Sequence, residues 1–185
     1  MSHQPQRLSR LHTALMIVDI QEKLLPAIHE HERVLHNAIR LARGAAVFDL
    51  PVVVTEQYRK GLGATIPELA ASVPAFNPAE KLAFSACGAP QVLEALGRGQ
   101  IRHVLLCGIE AHVCVCQTAL DLLEKGFTVF VAADAVSSRT PQNHQAGLER
   151  MRAAGALCVS TEMALFEWLG RAGTDEFKQV LALVK

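Results

Sequence analysis

This chain has no surplus of charge. Its 18 basic and 18 acidic side chains cancel, and no Lys/Arg cluster is longer than Arg59-Lys60. A phosphate backbone or an anionic lipid surface calls for a basic patch, so neither nucleic acid nor membrane is an expected partner. No apolar run approaches the roughly 18 residues of a spanning helix. The first ten residues, Met1 to Arg10, lack the apolar core of a secretory signal, so the expected location is cytoplasmic. Five cysteines are odd in number and too sparse for a disulfide framework, which points to reduced thiols. The chain contains no Gly-x-Gly-x-x-Gly, no Gly-x-x-x-x-Gly-Lys-Ser/Thr and no Gly-x-Ser-x-Gly. Nucleotide cofactors and serine hydrolysis therefore lose their usual sequence support, and no cofactor is expected. No repeat or low-complexity tract is visible.

What the chain does have is apolar residue, half of its 185 positions. That suffices for one domain with a substantial core, spanning residues 1–185 with a polar N-terminal extension (1–12) and a C-terminal helix (174–185). Short β-branched runs alternate with helical patterns. Strands are expected at 13–19, 52–55, 102–107, 127–132 and 156–159, with helices at about 30–48, 89–96, 112–125 and from Pro141. The segment 57–78 reads as Gly/Pro-containing connection, 134–139 reads as loop, and the short stretch around Lys81 supplies the remaining strand or its loop. Such alternation predicts an α/β fold: a three-layer α/β/α sandwich on a six-stranded, mostly parallel sheet in the Rossmann-like doubly wound order. In that order the first and fourth strands are neighbours and open a crevice at their carboxyl ends.

Three polar residues map to that crevice. Cys114 follows the apolar run Val104-Leu105-Leu106-Cys107 and stands at the start of a helical stretch, where helix N–H groups and dipole would lower a thiol's pKa. Asp19 ends the run Ala14-Leu15-Met16-Ile17-Val18. Lys81, in Glu80-Lys81-Leu82-Ala83-Phe84-Ser85, could stabilise a thiolate. Taken locally, each has a plain alternative. Cys114 could be a small buried hydrophobe, Asp19 a helix cap and Lys81 a solvated charge. His112, Cys114 and Cys116 could suggest a soft-metal site, but zinc sites usually use four ligands and no second cluster appears, so no metal is expected.

The motifs Ile17-Val18-Asp19-Ile20-Gln21, Thr55-Glu56-Gln57-Tyr58, Glu80-Lys81 with Phe84-Ser85, Gly108 to Ala119, and Asp134-Ala135-Val136-Ser137-Ser138 together resemble the isochorismatase-like cysteine hydrolase superfamily. The look is closest to its isochorismatase-domain-containing branch. The resemblance implies that Cys114 is the nucleophile, Asp19 the general base and later acid, and Lys81 the cation that holds the thiolate. It also implies a cis peptide at Ile109-Glu110, with the Glu110 and Cys114 backbone N–H groups as an oxyanion hole. Where nicotinamidases of that superfamily carry a metal-binding Asp-x-His pair, this chain has Glu56 and Tyr58, which again implies a metal-free site.

Gln21, Tyr58, Phe84 and His112 are expected substrate contacts, because they follow strand ends or flank Lys81 and Cys114. The function expected is hydrolysis of a C–N bond in a small amide-like molecule. The alternatives are an isochorismate-type ether hydrolase and a catalytically silent oligomeric interaction protein. Phe177, Val180, Leu181 and Val184 form an apolar stripe that either docks on the chain's own core or contacts another subunit, and the resemblance favours a homo-oligomer.

Overall fold

The computed structural model describes residues 6–185. Its six strands are β1 (Thr13–Val18), β2 (Val52–Gln57), β3 (Ala79–Lys81), β4 (His103–Ile109), β5 (Thr128–Ser137) and β6 (Leu157–Val159). They form one sheet in the order β3-β2-β1-β4-β5-β6, every neighbouring pair parallel. The α-helices are α1 (His31–Val47), α2 (Arg59–Leu62), α3 (Pro67–Ala70), α4 (Pro90–Gly97), α5 (Cys116–Glu124), α6 (Pro141–Ala153), α7 (Thr161–Leu169) and α8 (Asp175–Val184).

The strands alternate their side chains between two faces, and each face buries its own core. On one side Leu15, Ile17, Leu105 and Phe130 pack with α1 and α7 residues such as Leu41, Leu165 and Trp168. On the other, Met16, Val18, Leu106 and Val131 pack with Val92 of α4, Leu122 of α5 and Met151 of α6. Connections that run outward from β1 and from β4 travel in opposite directions across the sheet. Right-handed crossovers therefore put α1 and α5 on opposite faces and leave the strand order reversing between β1 and β4.

The structure departs from the sequence-based expectations in several places. Residues 1–5 of the expected N-terminal extension lie outside the described residues, and the remainder is no free tail. Leu8 is buried in the core and its N–H donates to Glu167 Oε2 at 2.7 Å. The expected loop at 134–139 is strand as far as Ser137. A register shift between Leu106 and Gly108 lets β5 continue beside β4, pairing Gly108 with Val136 and Ile109 with Ser137. The connection 57–78 contains α2 and α3. The expected helix 112–125 opens as a single π-helical turn, Ala111–Val115, before α5. The apolar stripe of α8 docks on its own chain: Val180 is fully buried in the α1/α7 core, with Phe177 and Val184 packed beside it.

Gly108 is the point where the two central strands come closest to the crevice. It adopts φ +120°, and a Cβ built there would lie 2.1 Å from Val18 O, next to Asp19. Both the backbone conformation and the space demand glycine. Gly108→Ala is expected to destabilise the fold by about 1–3 kcal/mol or more, measured by urea denaturation. A loss within experimental scatter would contradict this packing.

Candidate active site

Asp19 leaves β1 in the left-handed conformation, φ 54°, which aspartate tolerates better than most residues. This turn points its carboxyl sideways along the sheet's carboxyl edge rather than out to solvent. Oδ1 accepts a hydrogen bond from Thr55 Oγ1 on the neighbouring β2, and Oδ2 one from Lys81 Nζ, each at 2.7 Å. The Asp19 and Lys81 side chains are both fully buried. Lys81 ends the edge strand β3, and its other donors reach Gln57 Oε1 at 2.7 Å and the carbonyls of Phe84 at 2.9 Å and Ala83 at 3.3 Å. An ammonium has three protons. These acceptors take all of them, so Lys81 acts on the neighbouring thiol through its charge and through Asp19.

Cys114 sits in the π-helical turn, 6% exposed, with its thiol beside the Asp19 carboxyl. Burial raises the Asp19 carboxyl above the ordinary carboxylate value of 3.8, against the opposing effect of Lys81 and the hydrogen bond from Thr55. Burial, then the adjacent Asp19 charge, pushes the Cys114 thiol up to about 12, although Lys81 and the Glu110 N–H pull it down. Here the structure corrects the sequence reading. Ahead of the cysteine lies a strand end and a π-helical turn, not a regular helix N-terminus, and the site is closed enough for desolvation to dominate. The resting group is a neutral thiol beside a carboxylate, not a standing thiolate.

The other expected residues divide. His112 is half-buried two residues before Cys114, with Nδ1 2.9 Å from Ser138 Oγ. Tyr58 and Phe84 are 49% and 54% exposed and flank Lys81, whose ammonium is held by the Phe84 carbonyl. Gln21, in contrast, is fully buried. Its amide donates to Gln57 O and Gly63 O and accepts from Gln57 N–H, at 2.7–3.0 Å. Those bonds occupy its donors, so it braces the loop after β2 in place of the expected substrate contact. The Ile109–Glu110 peptide is cis. The Glu110 N–H is directed at the Cys114 sulfur, and the Glu110 carboxylate pairs with Arg139 Nε at 3.0 Å. Cys116 is buried in the core on this face of the sheet, beside Arg150 of α6.

Thr55 and Gln57 carried no role in the sequence reading although both stand in a quoted motif. Their i, i+2 spacing places them on one face of β2, which was a usable signal. The partners to which they bind lie 36 and 24 residues away. Glu56, between them, faces the other way. One of its oxygens accepts from Thr65 N–H and Oγ1 at 2.8 Å, and the other pairs with Arg59 at 3.3 Å. Tyr58, two residues on, is half-exposed. Among the described residues, no group of three His, Cys, Asp or Glu side chains is placed to hold a metal ion.

A thiol, a buried carboxyl and a buried ammonium thus meet at the switch point of a doubly wound sheet. The isochorismatase domain family matches residues 13–163. Isochorismatase domain-containing protein 2A of Mus musculus is 39% identical over 171 residues, covering 92% of this chain and 82% of that protein. The secreted isochorismatase effector Isc1 of Phytophthora sojae is 40% identical over 193 residues, covering 100% and 91%. Among solved structures, the MAR1 ribonuclease of Caenorhabditis elegans aligns with a TM-score of 0.92 at 37% identity, over 97% of this chain and 92% of that one. The YcaC gene product of Escherichia coli, described as an octameric hydrolase of unknown specificity, aligns with a TM-score of 0.92 at 25% identity, over 98% and 91%. The chain belongs to the isochorismatase family and has its hydrolase fold. Among the described residues, no helix is long and apolar enough to cross a membrane.

The buried pair makes a stability prediction. Lys81→Met leaves Asp19 buried without its cation, which is expected to cost about 3–5 kcal/mol at pH 7 by urea denaturation. The Asp19 carboxyl, already raised, rises further without the ammonium, so protonation favours the folded variant. The deficit should therefore shrink as pH falls. A deficit that is small or independent of pH would show that the pair is not the buried, ionised one described.

Proposed function

We propose that this chain is a single-domain cysteine hydrolase that cleaves a C–N bond of a small amide-like substrate through a thioester on Cys114. The observation that carries the reading is the juxtaposition of a buried thiol, whose ionisation burial opposes, with a buried carboxyl that Lys81 and Thr55 hold in place beside it. Positioned proton transfer to such a base contributes about 10²–10⁴-fold.

In the first half-reaction, Asp19 takes the thiol proton as the Cys114 sulfur bonds to the substrate's carbonyl carbon. The negative charge gathers on the carbonyl oxygen. The Glu110 N–H, already directed at the sulfur, and the Cys114 N–H are the proposed donors to that oxygen, in the role of an oxyanion hole. Collapse of the intermediate breaks the C–N bond, and the amine leaves with the proton held by Asp19. In the second, Asp19 takes a proton from water, hydroxide character develops at the thioester carbon, and the C–S bond breaks. The acid is released and the thiol is restored. Throughout, Lys81 and Thr55 keep the Asp19 carboxyl oriented, and Gln57 keeps Lys81 in place. His112, Tyr58 and Phe84 rim the site as the proposed substrate contacts.

The ribonuclease and effector names belong to the nematode and oomycete proteins. In this chain, zero net charge and the lack of a basic cluster give no support to an RNA substrate. The octameric relative supports assembly as a homo-oligomer. Five unpaired cysteines support a reducing, cytoplasmic setting.

The test is amine or ammonia release from a panel of small primary amides and ureido compounds, with acid-quenched intact mass to detect an acyl group on Cys114. Turnover should appear with one or more of them and fall by on the order of 10³-fold or more in Cys114→Ser. Turnover that survives in Cys114→Ala, or a folded protein that neither releases amine nor acquires an acyl group, would refute the assignment.

A further inference from the structure

One buried hydroxyl joins the segment that carries the nucleophile to the segment that holds the lysine. Thr118, in the first turn of α5, is fully buried. Its Oγ1 donates to Cys114 O at 2.6 Å and accepts from the Ala86 N–H at 2.8 Å. The first bond is the ordinary back-bond of a helical threonine to the carbonyl four residues earlier. The second is not local, because Ala86 lies 32 residues upstream. It comes two residues after Phe84, whose carbonyl, with that of Ala83, receives the Lys81 ammonium. The Ala86 N–H can only donate, so the hydroxyl has a single arrangement: proton toward Cys114 O, lone pair toward Ala86.

We propose that Thr118 is a positioning residue that fixes the distance between the Cys114 thiol and the Lys81–Asp19 pair. The inference rests on the reading of Cys114 as the nucleophile. Lys81 takes two of its acceptors from the 83–84 backbone, and Asp19 takes its cation from Lys81. A slip of that loop against α5 moves the base relative to the thiol while leaving every catalytic side chain present. Other long-range polar contacts, such as Asp134 with Thr161 and Arg139 with Glu110, join different segments but do not reach the loop that holds Lys81. Thr118 is bonded to both halves of the site.

The experiment is the rate of iodoacetamide alkylation at Cys114 in the full chain from pH 5 to 10, read by peptide mass spectrometry alongside the melting temperature. Thr118→Val removes the hydroxyl at nearly constant shape. It is expected to slow Cys114 labelling by about 10–100-fold and displace the pH profile, the scale that a misplacement of about 1 Å brings. Thr118→Ser keeps the hydroxyl and should restore the rate and profile.

Ala86→Pro removes the donor from the other end. It suits the extended backbone of Ser85, ψ 136°, and keeps the test available if Thr118→Val does not fold. It too should slow labelling. Wild-type rates in Thr118→Val or Ala86→Pro, a lowered melting temperature with unchanged labelling, or a Thr118→Ser as slow as the valine would each overturn the proposal. Failure of the underlying reading is separate: it would show as wild-type Cys114 labelling no faster than Cys114 in Asp19→Asn.

Discussion

The ion pair between Asp19 and Lys81 is the constraint around which the site is arranged. Removing two charges from water costs several kcal/mol per ion, and a pair at 2.7 Å offsets that only when the remaining donors and acceptors are also satisfied. Here they are. Thr55 serves the second carboxylate oxygen, while Gln57 and the Phe84 and Ala83 carbonyls serve the ammonium. These partners come from β2 and from the loop after β3, so the pair can form only when β1, β2, β3 and that loop are all in register. The same burial that makes the pair demanding raises the carboxyl and the thiol, and so defines what chemistry the two can share.

Topology explains why these groups meet at all. Asp19 and Cys114 end adjacent strands because the sheet order reverses between β1 and β4, and Lys81 arrives from the edge strand two positions away. Gly108 permits the close approach of β4 to Val18 immediately before Asp19. Gly147 does the same on the outer side, since a Cβ there would lie 2.9 Å from the backbone of Ala111 and His112, so α6 presses directly on the cysteine turn. Rigid elements thus hold the thiol from one side and the carboxyl from the other, which is the arrangement that a preorganised site requires.

How much of this was legible in the sequence depended on how local the signal was. The doubly wound sheet followed from alternation of strand and helix patterns, and the family from motifs at strand ends. Asp19 and Cys114 could be singled out because each ends an apolar run. Lys81 could be read only through the resemblance, since a three-residue edge strand leaves almost no periodicity. Thr55, Gln57 and Thr118 stayed hidden because their partners are 24 to 36 residues distant. The ionisation of Cys114 was read with the wrong sign. A helix start is visible in sequence, whereas the depth at which it is buried and the carboxylate placed beside it are properties of the packed structure. Likewise β5 outran its expected end because a register shift, five residues of β5 against two of β4, let the pairing resume, an event with no sequence period of its own.

The central claim is that Asp19 acts as a base toward Cys114 and not merely as a charge beside it. Asp19→Asn separates the two, because they have opposite signs. The carboxylate raises the thiol's pKa, so removing its charge alone would make Cys114 easier to ionise and faster to alkylate. Removing a base would make it slower. The measurement is the second-order rate of Cys114 alkylation by iodoacetamide between pH 6 and 8 in wild type and Asp19→Asn, both confirmed folded. The account predicts a rate about 10²-fold or more lower in the variant, the scale of a lost general base. A variant that reacts as fast as the wild type, or faster, would contradict it.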